Sequence, residues 1–377
     1  MTVNIKSDIA SIFSWARRQV DLDNGSTAKV LISRMELDAG LGNRIQAVLS
    51  GFLLAMVTRR VFLIDWAVNT KAATLPSSEL SSMPHWNALF MQPYPFLTHH
   101  TAFGGNVRRA LLSPSRSQFD LNGHANRYID DGGGAYQSLL CENLIQQFES
   151  IDTVQVNGYD WFAPTLAANP HHFMSIFASF GHINMFPSLF SHLFRPTLDI
   201  LKVAGRYRPK FERFYVIGVQ IRSILRFPKE NELWIWRTML HLQAQAEAVQ
   251  DKPVMFYVCS DTLPPWNRLL RVFGKERLMS ASIQDGFIGR SNQKDVMYGV
   301  VDMLLLGECD DIILSPESTF GGVAAARVGA QPWRITKNPL NATDASWDSV
   351  RIVARAAGQS PCSYGWQFVP RASCFSK

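Results

Sequence analysis

Five polar residues follow three short apolar runs in the second half of the chain. They are Arg222 after residues 215–221, Ser260 and Asp261 after residues 254–259, and Ser318 and Thr319 after residues 312–315. Apolar runs of this length are typical of buried strands in a parallel sheet. Open parallel sheets bind their ligands at the carboxyl ends of the strands. We therefore expect these five residues to lie at one ligand-binding edge.

Arg222 has the most specific chemistry of the five. Its guanidinium group offers a planar set of donors that matches phosphate oxygens, and it stays charged at physiological pH. Such a group would hold a pyrophosphate and stabilise a diphosphate anion as it departs. A structural ion pair is the alternative, and position alone leaves both interpretations open.

The run Ser318-Thr319-Phe320-Gly321 begins a predicted helix at the same edge. The first turn of a helix presents free N–H groups and the positive end of the helix dipole, and hydroxyl groups add further donors for a phosphate. Serine and threonine are also common N-cap residues, so the run alone fits a simple cap equally well. Together with Arg222, it favours an anion that is held from two sides.

A glycine loop in the first half of the chain is a second candidate element. Strands are predicted at residues 29–33 and 61–65, a helix at 43–56, and a tight turn at 38–42. Gly42 and Asn43 lie where backbone amides and a carboxamide would face a sugar across a cleft. An ordinary strand-to-helix turn is the competing interpretation.

Composition limits the classes to which the protein can belong. Its 377 residues, 47% hydrophobic and 18% charged, suffice for two domains. A net charge of +6 suits phosphate-containing ligands, while no signature of DNA or RNA binding is present. The sequence also lacks a GxSxG elbow, an HExxH motif and a P-loop.

No acidic or histidine cluster has the position of a metal site in the sequence. Asp21 and Asp23 fall in a polar leader, and Asp310 and Asp311 precede their predicted strand. The histidine doublets at 99–100 and 171–172 lack metal-ligand spacing. We therefore expect no metal and no other cofactor.

The alternation of strands and helices predicts an α/β protein with two Rossmann-like domains that face each other across a donor-binding cleft. We expect a polar leader at 1–27, domains at 28–205 and 206–355, and a tail at 356–377. The second domain has predicted helices near 233–249, 293–307 and 319–328.

Neither a membrane span nor a disulfide framework is predicted. The most apolar run, 47–57, is far shorter than the ~20 residues that cross a bilayer, and the first residues lack the apolar stretch of a signal peptide. Five cysteines are too few for a disulfide scaffold. A bond between Cys362 and Cys374 in an oxidising compartment is left open.

Three ordered blocks resemble the plant cell-wall fucosyltransferases of the xyloglucan α-1,2-fucosyltransferase family. The first is Gly40-Leu-Gly-Asn-Arg44 with Arg60-Val-Phe-Leu-Ile-Asp65, the second is Gly218-Val-Gln-Ile-Arg222, and the third is Asp302-Met-Leu-Leu-Leu with Ser315-Pro-Glu-Ser-Thr-Phe-Gly321 and Pro332-Trp333. Weaker matches extend the similarity over residues 28–362.

The resemblance implies a GT-B fold and an inverting, metal-free transfer of fucose from GDP-fucose to an oligosaccharide or polysaccharide, with an α-1,2 linkage to galactose as one form. It makes 28–205 the acceptor side and 206–355 the GDP-sugar domain. Arg222 and Asn43 become the catalytic candidates. The implied donor-binding residues are Gly42, Asn43, Arg222, Ser260, Asp261, Ser318, Thr319, Phe320 and Gly321. Asp38 and Glu36 are candidate bases by position, and base-free attack through water is the alternative.

Other outcomes stay open at this point. A GT-B protein that binds carbohydrate without transferring it would keep the same blocks, because a fold does not determine a function. A transferase with another linkage or another nucleotide sugar is the second alternative. The family points to the Golgi and to cell-wall biogenesis, whereas a soluble cytoplasmic enzyme or part of a lumenal one also fits this chain.

Overall fold

The computed structural model describes residues 29–35, 39–66, 84, 86–91, 116–120, 135–158, 161–180, 185–223, 229–288, 292–315, 318–337 and 350–353. These residues belong to two compact units. The described residues of unit 1 fall within Met1–Leu80 and Gln92–Arg195, and those of unit 2 within Ser81–Met91 and Pro196–Pro361.

The described strands are short, as in most α/β proteins. They are β1 Val30–Arg34, β2 Val61–Asp65, β3 Phe90–Met91, β4 Arg116–Asp120, β5 Thr153–Asn157, β6 Arg195–Pro196, β7 Tyr215–Ile221, β8 Val254–Ser260, β9 Leu278–Met279, β10 Asp311–Leu314, β11 Trp333–Lys337 and β12 Val350–Val353.

The described α-helices alternate with these strands. They are α1 Leu41–Val57, α2 Trp86–Leu89, α3 Ala135–Cys141, α4 Leu144–Gln147, α5 Ala163–Ala168, α6 Phe173–Phe180, α7 Met185–Leu193, α8 Leu198–Gly205, α9 Arg208–Arg213, α10 Lys229–Val249, α11 Leu263–Phe273, α12 Ala281–Gln284, α13 Gln293–Gly307 and α14 Thr319–Ala326.

Unit 1 contains a parallel sheet with the strand order β2-β1-β5-β4. Helix α1 packs on β1 at close range, because a Cβ at Gly51 would stand 2.9 Å from the Ser33 Oγ. Arg60 is buried and donates hydrogen bonds to the carbonyl oxygens of Asp152, at 3.0 Å, and of Phe148. This arginine of the first sequence block therefore joins the start of β2 to the segment that precedes β5.

His192 near the end of α7 is a partly buried imidazole in unit 1. Its ring stacks on Phe52 of α1, with centroids 6.3 Å apart and planes inclined by 17°. Burial lowers the pKa of His192 to about 4, and the positive charge of Arg195 adds to this effect. The neutral imidazole is therefore the form that the folded protein favours.

We expect acid to destabilise unit 1 through His192. An unfolded imidazole has a pKa of about 6.5, so the unfolded chain takes up the proton first as the pH falls. The contribution of neutral His192 to the free energy of unfolding is complete above about pH 6.5 and is lost as the pH falls towards about 4. At pH 5 the loss amounts to about 2 kcal/mol.

Urea unfolding at pH 7.5 and pH 5.0 measures this loss when His192→Phe is compared with the wild type. Phenylalanine keeps the stacked ring and removes the titration, so the variant should lose less stability between the two pH values. An equal loss in both proteins would contradict the assignment.

Unit 2 contains a sheet with the order β12-β11-β10-β7-β8-β9. Its strands run parallel except β12, which pairs antiparallel with β11. One face of this sheet packs against α10 and α11, in a core that includes Ile217, Val219 and Met239. The other face meets α13 closely, since a Cβ at Gly218 would stand 2.7 Å from the Leu306 Cδ1.

Asp310 and Asp311 stabilise the amino edge of this sheet. The Val216 amide donates to the Asp310 Oδ2 at 2.8 Å, and the Tyr215 hydroxyl donates to the Asp311 Oδ2 at 2.8 Å. The Trp333 Nε1 donates to the Asp311 Oδ1 at 3.0 Å. Both carboxylates thus accept hydrogen bonds from residues at the start of the strands. This edge of the sheet is opposite to the one where ligands bind.

Asp302 of the third sequence block is a buried structural residue. Its Oδ1 accepts from the Tyr257 hydroxyl at 2.6 Å and from the Ser282 amide at 3.3 Å. Burial raises the pKa of Asp302 to about 6, against the opposing effect of these hydrogen bonds. The network joins β8, α12 and α13 beneath the sheet.

The described cysteines occupy different environments. Cys141 in α3 is disulfide-bonded, a bond that the sequence analysis did not predict. Cys259 and Cys309 are buried thiols, and burial raises the pKa of each well above its ordinary value. The pairing of Cys362 with Cys374, which the sequence leaves open, involves residues outside the described ones. Within the described part of the chain, no helix has the length and apolarity to span a membrane.

Candidate functional site

The strand order of the unit 2 sheet reverses its direction next to β7. From β7 the chain continues to β8 and β9 on one side, and then to β10 and β11 on the other side. The crevice beyond the carboxyl ends of β7 and β10 is therefore a topological switch point, which is where open α/β sheets bind ligands. We call this edge, where β7, β8 and β10 end, the carboxyl edge.

Arg222 follows β7 directly and is partly buried. Its backbone N–H donates to the Ser315 Oγ at 3.0 Å. The same hydroxyl group donates to the Gln220 carbonyl oxygen at 2.8 Å, and the Ser315 N–H donates to that carbonyl at 3.1 Å. Ser315 therefore bridges two residues at the end of β7 from the neighbouring strand.

Ser260 ends β8 on the other side of β7, and Asp261 follows it directly. The Asp261 Oδ1 accepts from the Ser223 N–H at 2.7 Å. The Ser260 Oγ donates to the Thr262 carbonyl oxygen at 2.8 Å. The carboxylate of Asp261 is thus directed at the backbone that follows Arg222.

The N-terminus of α14 completes the carboxyl edge beyond β10. Ser318 is its N-cap, and the Ser318 Oγ accepts from the Gly321 N–H at the long distance of 3.4 Å. A Cβ at Gly321 would stand 2.5 Å from the Leu314 Cδ2, so the absence of a side chain lets the helix pack directly on β10. The free N–H groups of this first turn then border the switch point.

The structure thus places all the predicted residues of unit 2 at the carboxyl edge. These residues are Arg222, Ser260, Asp261, Ser318, Thr319, Phe320 and Gly321. Sequence reasoning assigned no role to Ser315, although it ended one of the apolar runs. Gln220 was likewise given no role, and within the described chain its buried Oε1 accepts no hydrogen bond.

The predicted residues of unit 1 lie in the first turn of α1. Gly40 is the N-cap and supplies no side-chain cap, while the buried Asn43 Oδ1 has no hydrogen-bond partner among the described residues. Gly42 is buried next to it. Among the described residues, the carboxamide oxygen of Asn43 at this helix N-terminus therefore has no partner. The candidate bases Asp38 and Glu36 lie outside the described residues.

Arg44 holds this first turn in place. It is 0% exposed, and its Nε donates to the Ala39 carbonyl oxygen at 2.8 Å. Its guanidinium group also donates to the Trp66 carbonyl oxygen and lies over the Trp66 ring at 5.6 Å. The arginine of the Gly-Asn-Arg block therefore positions the turn that precedes α1.

Across the described ranges, no three histidine, cysteine or acidic side chains are grouped so that they could hold a metal ion. Apart from the Asp261 carboxylate, which accepts from the Ser223 N–H, the described carboxyl edge offers donors: a guanidinium group, hydroxyl groups and backbone N–H groups. Such a set suits an anion with several oxygens, such as a diphosphate.

The chain is similar to several fucosyltransferases. No protein-family model matches the chain. The chain is 22% identical over 365 residues to "Putative fucosyltransferase 10" of Arabidopsis thaliana, covering 86% of this chain and 66% of that protein. It is 23% identical over 359 residues to "Probable fucosyltransferase 5" of the same plant, covering 86% and 64%. The chain spans about two thirds of the length of these relatives.

Solved structures give the same result for the fold. A mutant of Arabidopsis thaliana FUT1 in complex with GDP matches with a TM-score of 0.61 and 20% identity, over 93% of this chain and 79% of that one. Fucosyltransferase NodZ from Bradyrhizobium matches with a TM-score of 0.51 and 18% identity, over 88% and 100%. The predicted α/β class with a GT-B fold is confirmed, as is the predicted resemblance to plant fucosyltransferases.

Proposed function

We propose that this protein is a glycosyltransferase that transfers L-fucose from GDP-fucose to a carbohydrate acceptor. The observation that carries the proposal is the carboxyl edge of unit 2, where Arg222 and the N-terminus of α14 border one topological switch point. The similarity to fucosyltransferases, one of them in complex with GDP, supports this donor.

The carboxyl edge acts on the leaving side of the reaction. As the bond between fucose and GDP breaks, negative charge grows on the diphosphate. The guanidinium group of Arg222 and the N–H groups and hydroxyls of Ser318 and Thr319 would stabilise that charge, because fixed donors need little reorganisation. The GDP leaving group is therefore released in a site whose donors are already in place.

The acceptor side is assigned to the predicted domain 28–205. In an inverting transfer the acceptor hydroxyl attacks opposite the diphosphate, and Asn43 would orient the sugar with its carboxamide oxygen. Asp38 or Glu36 would take the proton, or it would pass directly to water. We further infer that no metal takes part and that the nucleotide sugar is bound by protein donors alone.

The linkage, the acceptor and the compartment that we propose are those expected of the plant relatives. An α-1,2 linkage to a galactose of a polysaccharide would place the reaction in cell-wall biogenesis in the Golgi. The disulfide at Cys141 supports an oxidising compartment of this kind, since such bonds rarely persist in the cytosol.

Thermal melting with a panel of nucleotide sugars tests the donor assignment. GDP and GDP-fucose should raise the melting temperature in the presence of excess EDTA, whereas UDP-galactose and UDP-glucose should leave it unchanged. Protection by a UDP-sugar and none by GDP-fucose would assign another donor. Protection by GDP-fucose only after manganese is added would contradict metal-free binding.

A further inference from the structure

We propose that Ser315 and Asp261 are positioning residues that act on the diphosphate site through the backbone of Arg222 and Ser223. The inference rests on the proposed role of Arg222 in binding the donor diphosphate. It assigns to Ser315 a role that its place in the sequence did not indicate, and it gives Asp261 a task other than direct contact with the donor.

The two residues satisfy backbone groups that the sheet itself no longer pairs. β7 ends at Ile221, so the next two N–H groups lie past the paired strands. Ser315, which follows β10, accepts from the Arg222 N–H at 3.0 Å, and Asp261, which follows β8, accepts from the Ser223 N–H at 2.7 Å. Each neighbouring strand therefore supplies one side chain to the same two-residue segment.

The Ser315 hydroxyl has a fixed orientation. It donates its proton to the Gln220 carbonyl oxygen at 2.8 Å while it accepts from the Arg222 N–H. Ser315 is only 3% exposed, so water has little access to replace the hydroxyl if it is removed. Alanine at this position would leave the amide of Arg222 without its acceptor, and the backbone would have to move to find another.

Asp261 is better suited to hold a backbone amide than to touch a diphosphate. A carboxylate and a phosphate repel each other at contact distance. A charge-assisted hydrogen bond from an amide to a carboxylate, in contrast, is stronger than a neutral one. The short 2.7 Å contact with the Ser223 N–H fits this second use.

A small backbone shift would matter because of the length of the arginine side chain. The guanidinium group of Arg222 stands far from its Cα, so a slight rotation of the backbone displaces the donors by much more. A displacement of about 1 Å can cost about 100-fold in rate. Fixing the backbone from both sides therefore fixes the charge that faces the departing phosphate.

A double-mutant cycle with Arg222 tests whether Ser315 acts through the arginine. Calorimetric titration with GDP should show about tenfold weaker binding for Ser315→Ala than for the wild type. In the Arg222→Ala background the same substitution should change the GDP affinity less than about twofold. An equal loss in both backgrounds would overturn the inference while leaving the proposed function intact. If Arg222→Ala alone leaves GDP binding unchanged, both this inference and the proposed function fail.

The pair Asp261→Asn and Asp261→Ala tests the second residue. Asparagine keeps a side-chain oxygen that can accept from the Ser223 N–H, so its GDP affinity should stay within about threefold of the wild type. Alanine removes the acceptor and should weaken GDP binding about tenfold. Equal losses in both variants would show that the negative charge matters and not the hydrogen bond, which would overturn the role proposed for Asp261.

Ser280→Ala is the matched control in the same unit. Ser280 is also buried, and its Oγ caps α12 by accepting from the Ile283 N–H. The control should lower the melting temperature without a change in GDP affinity, and a tenfold weaker affinity here would contradict a specific role for Ser315.

If Ser315→Ala does not fold, Ser315→Cys keeps the side-chain size with a weaker hydrogen bond. Ser315→Cys should then lower the GDP affinity less than Ser315→Ala would, and only when Arg222 is present. An equal loss of GDP affinity with and without Arg222 would count against the proposal.

Discussion

Replacement of Arg222 by alanine is expected to lower turnover of GDP-fucose about 100- to 1,000-fold, the typical cost of removing one preorganised donor from a site of developing charge. The fold should stay intact, because alanine keeps the backbone N–H of Arg222 that joins the end of β7 to Ser315. The initial rate of GDP release, measured beside a thermal melt, gives both quantities.

Two further variants separate charge from geometry. Arg222→Lys keeps the positive charge but loses the planar pair of donors, so it should restore only a small part of the rate. Arg213→Ala removes an exposed arginine in α9 of the same unit and should leave turnover unchanged. Near-normal turnover in Arg222→Ala would remove this residue from the reaction.

Replacement of both Ser318 and Thr319 by alanine is expected to weaken GDP and GDP-fucose binding by a similar factor, about tenfold, because both ligands carry the same diphosphate. The stability loss should stay near 1 kcal/mol, the typical cost of losing an N-cap. The Ser318 Oγ accepts the cap hydrogen bond from the Gly321 N–H at 3.4 Å, and the same hydroxyl can donate its proton to a ligand. Calorimetric titration with both nucleotides measures the affinities.

The thermal melt of this double variant distinguishes the two uses of the hydroxyl groups. A drop in melting temperature with an unchanged GDP affinity would mean that Ser318 and Thr319 only cap α14. A matched control is Asn292→Ala, which removes the capping box at the start of α13. That change should cost stability and leave the affinity for GDP unaltered.

The positions of the main strands and helices could be predicted because the apolar pattern that folding requires is local. The run 61–65 is β2, and the run 215–221 is β7. The helix predicted at 43–56 is observed as Leu41–Val57. Parallel strands that are buried on both faces must be almost continuously apolar, so their carboxyl ends can be read directly from the sequence.

What could not be predicted depends on contacts between distant parts of the chain. Ser315 meets Arg222 across 93 positions, and nothing local to either residue indicates that pairing. Arg44 and Asp302 belong to blocks on which the resemblance to plant fucosyltransferases rests, yet the structure uses them to hold backbone and buried hydroxyl groups in place. A motif therefore indicated the region of the candidate site without separating candidate ligand-binding residues from supporting ones.

The short segment around α2 could not be placed from the sequence for the same reason. Trp86 and Leu89 are buried, and α2 contacts α13 in unit 2 although the neighbouring chain on both sides belongs to unit 1. A four-residue helix carries almost no periodic signal, so only the tertiary contact reveals where it packs.

Fucose transfer itself is the most direct test of the account. The protein is incubated in EDTA with GDP-fucose that carries a labelled sugar and with an array of galactose-terminated oligosaccharides, and the products are analysed for linkage and anomeric configuration. We predict labelled oligosaccharides with α-linked fucose, because inversion converts the β-linked sugar of GDP-fucose, and almost no product with Arg222→Ala. Tight binding of GDP-fucose with no labelled product on any acceptor, or transfer that is independent of Arg222, would contradict this prediction.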